Sequence, residues 1–319
     1  MILTVTPNPA LDLTWHVDRL APGETHRVDT GHGRAGGKGL NVARVLHAEG
    51  REVTALATVG GASGHEFAAE AAASGIPTRL LPVAGSTRRS IAIVDRRSGE
   101  ATVLNERGAA LAAHEASALL AEAATLGGRA RAVAISGSLP PGLHADAIGE
   151  LVATLTAHGV PVVADVPGAA LLAAARAGAA AVKPNRDELV EATGEHDPLA
   201  GARRLQALGA RIVVASLGAD GMLVLDPEGR ALRARLGRTL HGNATGAGDA
   251  AVAAIALALA EASDASEAPD LESLARRAAA WSASAVLMPL AGELHPDHAA
   301  LAREIAIDDD IDTDATEPE

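Results

Sequence analysis

The sequence contains no cysteine, no tyrosine, one phenylalanine and two tryptophans. The absence of cysteine excludes disulfides, thiolate metal sites and cysteine nucleophiles. The scarcity of aromatic residues means that the core must be packed from alanine, valine, leucine and isoleucine. The twelve histidines show no H-x-x-x-H spacing, so we expect no histidine metal site.

A basic excess and a long apolar run are also missing. The formal charge of −13 argues against a general nucleic-acid binder. The longer apolar run, 250–260, is too short to span a bilayer, and "MILTVTPNPALD" lacks the features of a signal peptide. We therefore expect a cytoplasmic protein that contacts neither nucleic acid nor a membrane. Residues 308–319 hold seven acids in twelve positions, which is typical of a disordered, solubilising tail.

Short apolar strands alternate with helical segments along most of the 319 residues. This pattern predicts an α/β fold, with a mostly parallel sheet covered by helices on both faces. The pair "RIVVASLG" and "GMLVLDPEGRALRARL" predicts an antiparallel extension of that sheet. Residues 11–30 alternate like a half-buried strand, and residues 90–105 read as a hairpin with its turn near "RRSG". We expect one domain, 1–307, with a small β-sheet lid from about 11–30 and 87–105.

Two glycine motifs each precede a predicted helix. "GAGDAA" at 246–251 fits the dinucleotide fingerprint formally, but more helix follows where that fingerprint requires a second parallel strand. "GRAGGKGLNVARVL" at 33–46 is not a Walker loop, because Lys38 is followed by glycine rather than serine or threonine. Both motifs still present the free backbone N–H groups of a helix start, which favour anions. The sequence therefore predicts two anionic groups bound near one crevice.

Asp249 is the acid in the first turn of the second glycine-led helix. If one of the anions is a nucleotide triphosphate, Asp249 would accept the proton of an attacking hydroxyl during phosphoryl transfer. The backbone donors of Gly246–Gly248 would then stabilise the moving phosphoryl group. The alternative is an ordinary helix-capping acid.

These blocks together resemble the ribokinase-like sugar kinases, specifically the phosphofructokinase B branch. "AGGKGLNVARVL" is similar to the first family signature and "GNATGAGDAAVAAIA" to the second. "SGSLPPG", "KPNRDEL" and "SLGADGMLV" lie between them in family order, so the resemblance runs from about residue 1 to 300. The opening "TPNPALD" is most similar to 1-phosphofructokinases and tagatose-6-phosphate kinases.

The resemblance implies a ribokinase-like three-layer sandwich and roles for individual residues. Asp249 matches the catalytic base, with Gly246, Ala247 and Gly248 as its anion hole. The positions implied to bind the sugar phosphate are Asp12, Arg27, Gly37, Lys38, Asn41, Arg88 and Ser138. Those implied to hold ATP and its magnesium are Lys183, Asn185, Glu188, Ser216, Gly218 and Gly221. Asn185 and Glu188 would reach Mg²⁺ through water, so no residue ligates a metal directly, and K⁺ stays open as a second cation.

Plainer interpretations stand beside these roles. Arg27 and Arg88 are equally typical of solvated lid charges, and Asn185 with Glu188 of a helix cap and its first-turn acid. The chain also departs from the branch around Arg88, where "TRRSIA" lacks the usual asparagine and lysine. These departures concern the sugar more than the chemistry.

The resemblance implies transfer of phosphate from ATP to a ketohexose phosphate, with fructose 1-phosphate to fructose 1,6-bisphosphate as first choice. The alternatives are tagatose 6-phosphate, fructose 6-phosphate, an unphosphorylated sugar or nucleoside, or a non-catalytic sugar-phosphate-binding regulatory protein. Lid sheets pair between subunits in relatives, so the resemblance also implies a homodimer.

Overall fold

The structure is a computed structural model, and it describes residues 1–262 and 269–309. Within these residues a large sheet holds ten strands, numbered in chain order. From edge to edge they are β14 (Ile305–Asp308), β13 (Ala231–Leu236), β12 (Met222–Leu225), β11 (Ile212–Ser216), β10 (Ala181–Val182), β9 (Val162–Asp165), β8 (Ala132–Ser136), β1 (Ile2–Thr6), β4 (Val53–Val59) and β5 (Thr78–Pro82).

The central strands of this sheet are parallel and apolar. Every residue of β1, β8, β9 and β10 is buried, as expected of strands covered on both faces. Strand β12 pairs antiparallel with β11 and with β13, so the predicted antiparallel extension is confirmed. Strand β1 lies between β4 and β8, where the strand order reverses. In open α/β sheets the crevice at such a point, outside the carboxyl ends of the strands, is where ligands bind.

Helices cover both faces of the large sheet. One face carries α1 (Lys38–Ala48), α2 (Gly61–Ala73), α8 (Ala247–Glu261), α9 (Leu271–Val286) and α10 (His298–Glu304). The other carries α3 (Ala113–Gly127), α4 (Ala145–Ala157), α5 (Gly168–Arg176), α6 (Arg186–Thr193) and α7 (Pro198–Leu208). Helix α8 is buried from Asp249 to Ala260, which explains its small, apolar composition. The three-layer α/β prediction is therefore confirmed.

A second sheet of four strands accompanies the large one. In spatial order it holds β3 (His32–Gly36), β2 (Ala10–Val17), β6 (Arg88–Asp95) and β7 (Ala101–Asn105). The β6–β7 hairpin turns through Gly99, whose N–H donates to the Asp95 carbonyl, and this confirms the hairpin predicted at 90–105. Because β2 follows β1 directly and β3 leads into α1, this small sheet extends from the crevice at the end of β1.

The strand predicted over 11–30 is too long. Strand β2 ends at Val17, and residues 18–31 form no strand. The reason is a turn at Pro22–Gly23, where Gly23 has φ 85° and the Glu24 N–H donates to the Ala21 carbonyl. Arg27 follows this turn and is exposed.

The glycines of the first motif, which precede the predicted helix, lie mostly in a strand. Gly33 and Gly36 belong to β3, and only Gly37, with φ 105°, forms the turn into α1. The Asp12 carboxylate occupies the space where a Cβ of residue 36 would stand, so this position of the strand requires glycine. The glycines of this segment therefore admit the side chains of the neighbouring strand instead of forming one long loop.

The C-terminal boundary differs slightly from the sequence expectation. Asp308, expected to open the acidic tail, is the last residue of β14, which pairs antiparallel with β13. Residues 310–319 of the predicted tail lie outside the described residues. In the described ranges, no helix combines the length and apolar character needed to cross a bilayer.

Candidate active site

One cleft of about 1410 Å³ lies where the small sheet meets the carboxyl ends of β1, β8, β10 and β11. Cavities for one drug-sized ligand hold about 300–1,000 Å³, so this cleft has room for two small molecules. The predicted site residues that line it are Asp12, Gly37, Lys38, Asn41, Arg88, Ser138, Lys183, Asn185, Glu188, Ser216, Gly218, Gly221, Gly246, Ala247, Gly248 and Asp249. Lys38 and Asp249, predicted from motifs two hundred residues apart, therefore share a cavity.

Asp249 is a buried carboxylate in the first turn of α8. Its Oδ2 accepts a hydrogen bond of 2.8 Å from Asn41 Nδ2 on α1. Burial, together with the charge of Asp165, raises the pKa of Asp249 to about 6 despite the Asn41 hydrogen bond. The carboxylate is thus held in one orientation and is a stronger base than an exposed aspartate.

The backbone before Asp249 forms a tight turn. Gly246 is the residue before α8 and has φ 87°, a conformation that glycine adopts without strain. The first N–H groups of a helix have no intrahelical acceptor, so those of this turn can bind an anion. A Cβ on Gly248 would lie 3.4 Å from Lys183 Nζ, which places an ammonium group beside the same turn.

An ion-pair cluster around the buried Asp165 supports the two lysines of the cleft. Asp165, at the end of β9, lies 3.3 Å from Lys38 Nζ and 3.3 Å from Lys183 Nζ, and accepts a hydrogen bond of 2.8 Å from Ser136 Oγ. Burial raises the pKa of Asp165, but Lys183 and Lys38 more than offset this and hold it below its ordinary value. The site prediction missed Asp165, although an acid that ends an apolar strand in "VVADV" was the available signal.

Asn185 and Glu188 form a capping box at the start of α6. Asn185 Oδ1 accepts from the Glu188 N–H at 2.8 Å, and Glu188 Oε2 accepts from the Asn185 N–H at 2.9 Å. Glu188 Oε1 lies 3.8 Å from Lys38 Nζ. The helix-cap interpretation therefore describes their hydrogen bonds, while both residues also line the cleft.

Asp12 lies on β2 at the small-sheet end of the cleft. Burial raises its pKa to about 6, Arg88 opposes that shift, and the charge of Asp249 adds to it. Two carboxylates with raised pKa values thus face the same space. Either can accept a hydrogen bond from a hydroxyl group of a bound ligand.

Asn8 joins three segments at the same end of the cleft. Its carbonyl accepts from Arg88 Nε at 3.2 Å, and its Nδ2 donates to the Arg107 carbonyl and to Ser138 Oγ, each at 3.1 Å. A Cβ on Gly108 would stand 2.5 Å from Asn8 Oδ1, so only glycine lets this segment approach so closely. We call Arg88, Arg107 and Ser138, which line the cleft around Asn8, the arginine cluster.

The arginine cluster differs from the predicted set of cations. Arg27 is exposed and absent from the cleft lining, because the turn at Pro22–Gly23 carries its segment away from β2. Arg107 was missed, since no motif marks it. Within residues 1–262 and 269–309, its guanidinium has no ion-pair partner, whereas Lys38 is engaged by Asp165 and Glu188.

The opposite end of the cleft is formed by Ser216, Gly218 and Gly221 at the end of β11. The Leu217 N–H donates to the Gly221 carbonyl at 2.8 Å, which closes a short turn around the 3₁₀ helix Gly218–Asp220. Helix α9 adds the small side chains of Ala279, Ser282 and Ala283 to this end. A slot lined by such small, mostly apolar residues suits a flat heterocycle, with the backbone turns available to polar groups.

The cleft residues do not form a metal centre of their own. No group of three or more His, Cys, Asp or Glu side chains in the described ranges is arranged to hold a metal ion. Carboxylate oxygens are nevertheless the donors that Mg²⁺ prefers. Glu188 fits a magnesium ion that arrives on phosphates, because its Oε1 faces the cleft rather than the helix backbone.

Comparisons with known proteins agree with this geometry. A family model described as "pfkB family carbohydrate kinase" matches residues 7–297. The chain is 39% identical over 289 residues to a 1-phosphofructokinase of Xanthomonas campestris, covering 88% of this chain and 89% of that protein. It is 34% identical over 264 residues to the ATP-dependent 6-phosphofructokinase isozyme 2 of Mycobacterium tuberculosis, covering 81% and 77%.

Among solved structures, phosphofructokinase-2 from Escherichia coli in complex with potassium superposes with a TM-score of 0.86. The identity is 29%, and the match covers 95% of this chain and 99% of that one. The resemblance in the sequence is therefore confirmed at the level of fold and family. The chain belongs to the pfkB family of carbohydrate kinases and is a phosphotransferase with a hydroxyl acceptor.

Proposed function

We propose that this kinase transfers the γ-phosphoryl group of ATP to a hexose phosphate, with fructose 1-phosphate as the preferred acceptor and fructose 1,6-bisphosphate as product. The observation that carries the proposal is the placement of Asp249 and the Gly246–Gly248 turn in a cleft with the arginine cluster at one end. The apolar slot beside Gly218 and Ala279 suits the nucleotide base at the other end. A 1-phosphofructokinase among the relatives supports the choice of acceptor.

Asp249 would act as the general base. The acceptor oxygen forms a bond to the γ-phosphorus, the bond from phosphorus to the β,γ-bridging oxygen breaks, and the hydroxyl proton passes to the Asp249 carboxylate. A helix N-terminus stabilises a carboxylate and weakens it as a base, but burial acts in the opposite direction and leaves the pKa at about 6. Asp249 is then ionised at neutral pH and basic enough to take the proton.

The Gly246–Gly248 turn and the lysines would stabilise the charge that develops on the phosphoryl oxygens. Backbone N–H groups fixed by the turn need no reorganisation during the reaction, which is why such donors are effective. Lys183 lies beside the turn, and Asp165 fixes both Lys183 and Lys38. Magnesium bound to the nucleotide neutralises phosphate charge, and Glu188 would hold its water shell. A potassium requirement is an extension of this proposal, supported by the potassium complex of the Escherichia coli relative.

The arginine cluster supports an acceptor that already carries a phosphate. An unphosphorylated sugar has no group that needs two guanidinium side chains, whereas a phosphate dianion binds arginine through paired hydrogen bonds. Arg88 donates from Nε to the Asn8 carbonyl, the Arg107 backbone carbonyl accepts from Asn8 Nδ2, and Ser138 adds a hydroxyl donor. Asp12, Gly37 and Asn41 line the space between this cluster and Asp249, where the sugar hydroxyls would lie.

A coupled assay of the purified protein with Mg-ATP tests the proposal. Fructose 1-phosphate, fructose 6-phosphate, tagatose 6-phosphate and ribose are compared as acceptors, with and without K⁺. We expect fructose 1-phosphate to give the highest kcat/KM. A higher kcat/KM for ribose would overturn the assignment of a phosphorylated acceptor.

A pair of arginine variants tests the acceptor site itself. Arg107→Met should raise KM for the sugar phosphate by about 10-fold or more, because a charged hydrogen bond to phosphate contributes about 1.5–3 kcal/mol. KM for ATP should not change. Arg89→Met is the matched control. Arg89 follows Arg88 on β6, and successive strand residues face opposite sides of the sheet, so Arg89 does not line the cleft. Equal KM values in the two variants would contradict the role given to Arg107.

A further inference from the structure

The loop between α9 and α10 packs directly against the Gly246 turn. A Cβ on Gly246 would stand 2.8 Å from the Ala291 Cα and 3.2 Å from the Gly292 nitrogen, so these backbones are in direct contact. Asn243, before the turn, donates from Nδ2 to the Pro289 carbonyl at 3.0 Å. The position of the turn is therefore set by the position of this loop.

The same loop also touches the helix that orients the base. Gly292 has φ 81°, and a Cβ there would lie 3.2 Å from the Asn41 Cα and 3.0 Å from Arg44 Cδ. Asn41 in turn donates to Asp249. The backbone at 291–292 thus fills the space between the residue that orients the base and the turn that holds the anion.

Arg34 links this loop to the small sheet. It lies on β3, in register with Asp12 on β2. Its Nη1 donates to the Ala291 carbonyl at 3.0 Å, and its Nη2 lies 3.3 Å from Glu293 Oε1. The side chains of the ion pair are 21% and 32% exposed, so solvent does not fully screen the interaction. Arg34 does not line the cleft.

We propose that Arg34 is a positioning residue for phosphoryl transfer, which holds the Ala291–Gly292 backbone against Gly246 and so fixes the anion-binding turn relative to the small sheet. The proposal rests on the proposed function for the role of that turn. The contacts of Arg34 join the β2–β3 pair, which carries Asp12, to the loop that packs against the Gly246 turn. Displacements of about 1 Å in such supports reduce catalysis by up to about 10²-fold.

The test compares Arg34→Met and Arg34→Lys in the full chain. The methionine retains the length of the side chain and loses both polar contacts, and lysine restores the charge with a single donor group. We expect Arg34→Met to lower kcat by about 10-fold or more. The dissociation constant of ADP, measured by calorimetry, should stay within about 2-fold of wild type, because Arg34 does not line the cleft. Arg34→Lys keeps the positive charge that lowers the pKa of Asp12, so its dissociation constant for the sugar phosphate should also stay within about 2-fold. Lysine should recover part of kcat.

The control is Arg96→Met, which removes an exposed arginine of the turn between β6 and β7, whose ion pair with Asp18 spans 3.5 Å. It should behave as wild type. If Arg34→Met does not fold, Glu293→Gln retains the Arg34–Ala291 hydrogen bond and should lower kcat by a smaller factor. An unchanged kcat, or a loss confined to KM for the acceptor, would overturn the inference. All kinetics use whichever acceptor the wild type turns over, so a different acceptor would contradict the proposed substrate and leave the Arg34 result interpretable.

Discussion

Two carboxylates in the cleft, Asp12 and Asp249, each have a pKa of about 6, because the half-buried position of Asp12 and the buried position of Asp249 disfavour their charged forms. They differ in their neighbours. Arg88 faces Asp12 and favours its ionised form, whereas the negative charge of Asp165 disfavours ionisation of Asp249. The same shift thus arises at a residue suited to bind hydroxyl groups and at one suited to remove a proton.

At the scale of single residues, we predict an acid limb in the pH dependence of kcat/KM near pH 6, where Asp249 becomes protonated. Asp249→Asn should lower kcat by on the order of 10² or more at neutral pH, because no base remains. Asp146→Asn is the matched control, since Asp146 is a first-turn acid of α4 and does not line the cleft. A similar loss in both variants, or none in either, would leave Asp249 as an ordinary capping acid.

Stability measurements separate this loss of activity from unfolding. The folded-state pKa of Asp249 lies at about 6, above its ordinary value of 3.8, so the fold favours the protonated form. The buried charge therefore destabilises the fold fully above pH 6, and this effect disappears as the pH falls below about 4. At pH values above 6, Asp249→Asn should therefore raise the thermal unfolding midpoint although it lowers kcat. A lowered midpoint would contradict this prediction.

At the scale of elements, the glycine turn before α8 offers a test that distinguishes its two glycines. Gly246→Ala should destabilise the fold by about 1–2 kcal/mol, because alanine is strained at positive φ and its Cβ would approach Ala291. Gly248→Ala should stabilise it by about 0.5–1 kcal/mol, since Gly248 is helical. Its Cβ would narrow the space beside Lys183, so kcat should nevertheless fall. Thermal unfolding and steady-state assays check both variants, and equal destabilisation would contradict the different conformations given to the two glycines.

Elements with a strong hydrophobic pattern could be predicted from the sequence. Elements whose residues are selected by contacts with side chains distant in the sequence could not. Apolar strands and the small-residue helix α8 were predictable because burial alone selects their residues. Strand β3 was not, because its Gly36 is explained only by the Asp12 side chain on the neighbouring strand. In the site, motif residues such as Lys38 and Asp249 could be placed in advance, whereas Arg107 and Arg34 follow from long-range contacts with Asn8 and Ala291 that no local spacing encodes.

At the scale of the whole molecule, the small sheet has an edge that needs a partner. All five residues of the edge strand β7 are exposed, including Val103 at 48% and Leu104 at 56%. Exposed apolar edge strands tend to pair with other chains. We therefore predict a homodimer through this sheet, as the family resemblance also implies.

Sedimentation velocity checks this prediction. Leu104→Lys should shift the wild-type dimer toward monomer, since it places a charge on the paired edge. Leu287→Lys, which changes an exposed leucine at the end of α9, should leave the association unchanged. A wild-type monomer, or equal dissociation of both variants, would contradict a dimer formed through β7.

The near absence of aromatic residues gives the molecule a simple optical signature. Its two tryptophans lie in different parts of the fold, Trp15 on β2 over Gly31 and Trp281 on α9, edge-to-face with His298. With no tyrosine present, near-ultraviolet emission arises almost entirely from these two rings. A Trp281→Phe chain would therefore emit from the small sheet and a Trp15→Phe chain from the helical layer, so each of these two parts of the fold carries its own intrinsic fluorophore.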